Sequence, residues 1–128
     1  MKRNMVLEKS FRFATRIIKL AQYLQKEKQE YILSKQVFRS GTAIGALIRE
    51  AQYAESPKDF IHKLTIALKE ANETEYWLLL LKEGCYISVV EFESIHPEIK
   101  ELLKLLISIT KSSKTNNKIS EEISLYNI

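Results

Sequence analysis

A chain of 128 residues, 45% hydrophobic and 28% charged, is one domain's worth of polypeptide, long enough to bury roughly two-thirds of its unfolded surface without disulfides or a structural metal. Three Gly and two Pro are too few for the turns of a sandwich or barrel, which excludes an all-β fold and points to few, long helices. Twenty Lys/Arg against sixteen Asp/Glu leave a net +4, a mild excess that names no partner.

The single cysteine, Cys85, excludes an intramolecular disulfide and suits a reducing compartment. Together with two histidines it is too little for an all-His/Cys zinc site. No run approaches the roughly 20 apolar residues of a membrane span. The opening Met1–Lys9 has charge on both sides of a very short apolar stretch, unlike a secretory leader. The expectation is a cytoplasmic protein with no cofactor and no membrane contact.

Four segments carry helical periodicity. The first, about Glu8 to Lys28, places Phe11, Ala14, Ile17, Ile18, Ala21 and Leu24 on one apolar face. The second, about Tyr31 to Ala54, has Val37, Phe38, Ala43, Ile44, Leu47 and Ile48 as its core positions. The third opens on Ser56 as N-cap, with Pro57 at the first helical position and Asp59 closing a Ser-x-x-Asp capping box. Its apolar stripe is Phe60, Ile61, Leu64, Ala67, Leu68, Ala71, Trp77, Leu78 and Leu81, and Gly84 is expected to end it as the C′ residue.

Ser88-Val89-Val90-Glu91 reads as a second capping box opening a short helical turn, which His96-Pro97 then interrupts. Pro97 is expected near the start of the fourth helix, which continues through Ile99, Leu102, Leu103, Leu106 and Ile109 to about Lys111. The bundle is thus expected over residues 1–112. Residues 113–128 are turn-rich and polar and read as a tail, with Ile119, Ile123 and Leu125 available to dock on a partner surface.

Short connections make sequential helices antiparallel neighbours. The fold expected is all-α, an antiparallel up-down-up-down four-helix bundle. With the second hinge at Glu55 and Ser56, residues equidistant from it face each other. This places Glu50 near Lys63 and Arg39 near Glu73 or Glu75.

The net charge hides an asymmetry. Residues 1–64 hold 13 Lys/Arg and 6 Asp/Glu, while residues 65–128 hold 7 and 10. Lys9, Arg12, Arg16, Lys19 and Lys26 fall within an arc of about 100° on the first helix, opposite its expected apolar face, with Tyr23 in the same stripe. Such a row can track a phosphate backbone and offer a stacking surface, so these five, with Arg49, are the candidate contacts to RNA or DNA. A solvated bundle face, or pairing with the acidic half of a neighbouring subunit, accounts for the same pattern.

Helical bundles host metal pairs through Glu-x-x-His motifs. Glu93-Ser-Ile-His96 and Asp59-Phe-Ile-His62 have that spacing, but they lie at helix starts, so no metal is expected and both histidines read as surface residues. Glu75 lies on the apolar arc of the third helix and needs a cation, from Arg39 or a neighbouring subunit. Gly41 and Gly45 lie four apart inside a helical pattern, so they mark close helix packing and not a phosphate loop. No nucleophile or acid–base pair is visible, and Cys85 has no paired base, so no enzyme is expected.

The stretch from Gln36 to Ser56, centred on Arg39-Ser40-Gly41-Thr42-Ala43-Ile44-Gly45, resembles the signature of the four-helix-bundle proteins encoded by intervening sequences in bacterial 23S rRNA genes. The run Asp59 to Leu78 and the opening Ser10-Phe11-Arg12-Phe13-Ala14 resemble it too, so the likeness spans about residues 7 to 112. The family pattern commonly has Ser and Asn where this chain has Ala43 and Leu47. The resemblance implies a left-handed bundle, assembly into a closed homopentamer similar to the accessory proteins of diversity-generating retroelements, and nucleic-acid binding. It brings no catalytic residues. The alternative function is a structural adaptor for a protein partner such as a polymerase or reverse transcriptase.

Overall fold

The structure, a computed structural model, describes the backbone of residues 2–126 and the side chains of residues 5–116 and 118. Four helices follow in order: α1 (Lys2–Glu27), α2 (Leu33–Ala51), α3 (Pro57–Glu83) and α4 (Val89–Tyr126). Five-residue connections, 28–32, 52–56 and 84–88, turn each helix back along its predecessor. Each helix packs on its two neighbours in a cycle, α1 on α2, α2 on α3, α3 on α4 and α4 on α1, and among the described residues the backbones of the diagonal pairs do not approach within 8 Å, Cα to Cα. This is the up-down-up-down bundle expected from the sequence.

The helix ends have local causes. Ser56 accepts from the Asp59 N–H at 3.1 Å, and Asp59 accepts in return from the Glu55 N–H at 3.1 Å. Ser88 and Glu91 form a reciprocal capping box, at 3.0 and 2.8 Å. At α2 the nominal cap, Ile32, has an apolar side chain and makes no side-chain capping hydrogen bond. Glu30, buried in the preceding turn, takes over: its carboxylate accepts from the N–H groups of Ile32, Leu33 and Ser34 at 3.3, 3.0 and 2.8 Å. A carboxylate also suits the positive end of the helix dipole.

α3 ends in a Schellman motif, with Tyr86 N–H on the Leu81 carbonyl at 2.9 Å and Cys85 N–H on that of Lys82 at 3.0 Å. The left-handed residue is Cys85, at φ 62°, and not Gly84, at φ −79°. Gly84 is set by space: a Cβ there would lie 3.1 Å from the Leu80 carbonyl oxygen and 3.3 Å from the Tyr86 ring.

Four boundaries differ from the sequence reading. α1 begins at Lys2, and α2 stops at Ala51. The expected short turn and fourth helix are one helix, α4, with exposed Pro97 in its third turn. Pro97 withholds an N–H from the Glu93 carbonyl, and one residue on, Arg16 of α1 donates to the Ser94 carbonyl at 3.0 Å. α4 also runs on past Lys111 through the Ser/Asn-rich stretch. A helix already nucleated propagates through weak formers when no Gly or Pro stops it. The side chains of Ile119, Ile123 and Leu125 lie outside the described residues.

The core is apolar and drawn from all four helices, with Phe13, Ile17, Leu24, Ile44, Ile48, Leu64, Leu78, Leu81, Ile99, Leu102 and Leu106 fully buried. On α1 the buried face is Val6, Ser10, Phe13, Ile17, Ala21 and Leu24, while Phe11 is 72% exposed and Ile18 39%. Phe38 of α2, also expected inside, is exposed. One buried polar contact links α2 to α3. The Thr74 hydroxyl lies 2.7 Å from the Glu70 carbonyl and 2.8 Å from the Ser40 hydroxyl, so it donates to the first and accepts from the second.

Candidate nucleic-acid interface

The cations picked out on α1 do not share one environment. Lys9 pairs with Glu101 of α4 at 2.5 Å. Arg16 pairs with Glu98 of α4 and donates to the Ser94 carbonyl and hydroxyl, at 3.0 and 2.9 Å. Arg12 pairs with Glu8, one turn earlier on its own helix, at 2.7 Å. Lys19 and Lys26 are exposed and make no ion pair with a described residue. Tyr23 is half-buried against the core, with Lys28 Nζ 6.0 Å from its ring centre.

Lys9 and Arg16 therefore lie on the flank of α1 that meets α4, not on its outer face. An apolar axis that includes Phe11 and Ile18 points toward α2, whereas both residues are exposed. Replacing them by Val6 and Phe13 rotates the axis by roughly 50° at 100° per residue. The groove along this flank, about 720 Å³, is lined by Arg16, Lys19, Tyr23, Val90, Glu91 and Ser94, with Leu20, Ile87 and Ile95 at its base.

Arg49 lies elsewhere. It is exposed on α2 and lines a second groove, about 820 Å³, between the outer sides of α1 and α2. Phe11 and Tyr53, 72% and 83% exposed, stand on this groove, whose floor includes Ala14, Thr42, Gly45 and Ala46.

Of the expected ion pairs, Glu50 and Lys63 meet at 3.3 Å. Arg39 bridges Glu73 at 2.8 Å and Glu70 at 3.0 Å. The Glu73 hydrogen bond, with the charge of Glu70 behind it, holds the Arg39 guanidinium above its ordinary pKa. Glu73 also accepts from the Trp77 indole at 3.2 Å. Glu75 does not reach Arg39. Its partner is His96 of α4, at 2.9 Å from Nε2 to Oε2. The His96 ring stacks on Phe92 with centres 4.5 Å apart, and Lys82 Nζ lies 4.5 Å from the Phe92 ring centre. His96 is thus half-buried in the α3–α4 seam rather than a surface residue. Glu75 and His96 lie nine and eight residues from the ends of the 84–88 connection, so the equidistance that places Glu50 near Lys63 reaches this pair once α4 is one helix.

Among the described residues no group of three or more His, Cys, Asp or Glu gathers as a metal site, and no helix is long and apolar enough to cross a membrane. Cys85 is exposed, with Sγ 3.9 Å from the Glu83 carbonyl.

Fold and surface together define an all-helical antiparallel bundle whose distinctive chemistry is charge placement and close helix packing. Within that class, a family model described as 23S rRNA-intervening sequence protein matches residues 2–108, and the chain belongs to this family. The crystal structure of a protein of unknown function from the S23 ribosomal protein family of Bacteroides thetaiotaomicron VPI-5482 superposes with a TM-score of 0.85. It is 57% identical in sequence, over 87% of this chain and 99% of that one. No functionally curated protein matches the sequence.

Proposed function

We propose that the protein is a non-enzymatic cytoplasmic scaffold that works as a self-associated assembly, with the outer α1–α2 face as the contact between copies. The observation that carries this reading is the exposed aromatic pair Phe11 and Tyr53 on an apolar groove of about 820 Å³. Monomeric proteins seldom leave large aromatic surfaces in water, and such patches mark protein contacts. Small residues line the floor, Ala14, Gly45 and Ala46, and allow a ring from a second copy to approach the backbone. A face whose complement lies elsewhere on the same chain closes into a ring when the rotation between copies permits, which is the route to the expected homopentamer.

Light scattering behind size exclusion at micromolar concentration tests it. The wild-type chain is expected at a multiple of the monomer mass, with five copies as the specific expectation. The double variant Phe11→Asp, Tyr53→Asp is expected at the monomer mass with its helical circular dichroism retained, because both side chains are exposed in the single chain. A wild-type monomer under these conditions overturns the proposal.

The nucleic-acid reading of α1 is narrowed by the ion pairs. With Lys9, Arg12 and Arg16 engaged, that surface retains Lys19 and Lys26, and Arg49 belongs to the apolar groove.

A further inference from the structure

The half of the chain with the acidic balance holds seven Lys/Arg, and five of them form one row. Lys100, Lys104, Lys111, Lys114 and Lys118 are all exposed on α4. At 100° per residue they share an arc of about 80°, and eighteen steps of about 1.5 Å make the row about 27 Å long. The row exists because α4 is a single helix to Tyr126. A helix ending at Lys111 would scatter the last two lysines.

This row is not an ordinary solvated face laced with ion pairs. None of the five lysines pairs with a carboxylate among the described residues. Among the described carboxylates Glu101, three residues before Lys104, is held by Lys9 at 2.5 Å, and the side chains of Glu121 and Glu122, which follow Lys118, lie outside the described residues. Lys100 and Lys104, Lys111 and Lys114, and Lys114 and Lys118 are spaced three or four residues apart, so each pair repels across one helical turn. A polyanion relieves that repulsion.

We propose that this lysine row is a binding surface for double-stranded nucleic acid, contacting phosphates along one side of the duplex. A duplex presents one charge per about 1.7 Å of axis, and a straight row of flexible ammonium groups meets it without fixed geometry. The row has no aromatic residue on which unpaired bases would stack, and no Arg, Asn or Gln to read base edges. Its one apolar member is Ile107, while Leu102, Leu106 and Ile109 are committed to the core. α4 therefore lacks the free apolar face that a membrane-surface helix inserts. The surface lies apart from the α1–α2 groove and does not depend on self-association.

Fluorescence anisotropy of the full chain with a labelled 20-base-pair DNA duplex tests this. Five phosphate contacts predict a slope of about −4.5 in log affinity against log salt, or about 500-fold weakening from 50 to 200 mM. The triple variant Lys100→Gln, Lys104→Gln, Lys111→Gln is expected to lower the slope to about −1.8 and to weaken binding at least tenfold at low salt. Gln keeps the helix propensity, and circular dichroism and solution mass are expected to match the wild type. Lys19→Gln, Lys26→Gln is expected to bind as the wild type does. No duplex binding at 50 mM salt, a wild-type slope in the triple variant, or a loss confined to the α1 variant overturns the proposal. So does capture by phosphatidylserine vesicles without duplex binding.

Discussion

Helix α1 meets its two neighbours in opposite ways. Against α2 the backbones approach closely: a Cβ on Gly41 would lie 2.8 Å from Ile17 Cγ1, and one on Gly45 would lie 3.4 Å from Ser10 Oγ. Against α4 the seam is spanned by side chains with formal charge, Lys9 to Glu101 and Arg16 to Glu98 and Ser94. The first seam is specified by shape. The second is specified by sign along a rim that meets water, with Arg16 and Glu98 each more than a third exposed. The difference explains why charge segregates between the two halves of the chain. Lys9 and Arg16 of the basic stripe and Glu98 and Glu101 of α4 are the two sides of one intramolecular seam, so these two cations are engaged in folding before any partner arrives.

The sharpest way to break this contrast is Gly41→Val. The added carbons enter space held by fully buried Ile17, and overpacking of that kind costs about 3 kcal/mol. Gly45→Ala, one turn on in the same seam, meets Ser10 at an ordinary contact distance. There the gain of up to about 1 kcal/mol in helix propensity offsets the crowding, so a change within about 0.5 kcal/mol of wild type is expected. Urea unfolding of the two variants checks both. Equal midpoints for Gly41→Val and the wild type would show that shape does not specify the α1–α2 seam.

A smaller effect is expected at the connection that holds the close seam in register. Glu30 is buried and accepts three N–H groups at the start of α2. Glu30→Ala leaves those donors without an acceptor and is expected to cost about 1–2 kcal/mol. Glu30→Gln keeps one accepting oxygen and is expected to fall between Ala and wild type. Hydrogen exchange at Leu33 and Ser34 reports the same loss locally. Unchanged exchange there in Glu30→Ala would remove the capping role.

These regions also differ in how legible they were in the sequence. The four helices, their antiparallel order, the caps at Ser56 and Ser88 and the Glu50–Lys63 pair all follow from local spacing, because periodicity and caps are encoded within a few residues. Gly41 and Gly45 announce close packing by their separation, but not that Ile17 and Ser10 are the residues approached. The buried face of α1 departs from its apolar arc for a physical reason. Its apolar arc is wider than the core, since Phe11 and Ile18 are exposed beside α2. Hydrophobicity alone does not separate residues buried within the chain from those facing outward. Glu30 as a cap, His96 as the partner of Glu75, and the unbroken α4 all depend on contacts or cooperativity beyond one helix turn.

The smallest expected effects lie in the charged seam, and they decide whether that seam is as salt-dependent as its exposure implies. Arg16→Ala removes an ion pair and two hydrogen bonds to Ser94. Partial exposure screens those contacts, so a cost of about 1 kcal/mol is expected in low salt. Lys9→Ala removes one pair, with 38% and 51% of the two side chains in solvent, for about 0.5 kcal/mol or less. Both costs are expected to shrink as salt rises from 50 mM to 1 M, where the screening length falls to about 3 Å. The cost of Gly41→Val is expected to persist, because salt does not relieve overlap of buried carbons. Arg16 has a part that salt leaves in place: its bond to the Ser94 carbonyl, next to the gap opened by Pro97. A residual effect in Arg16→Ala at 1 M salt, absent in Lys9→Ala, would locate that part of the seam at the proline. If the cost of Arg16→Ala instead vanished as completely as that of Lys9→Ala, the α1–α4 contact would be charge alone.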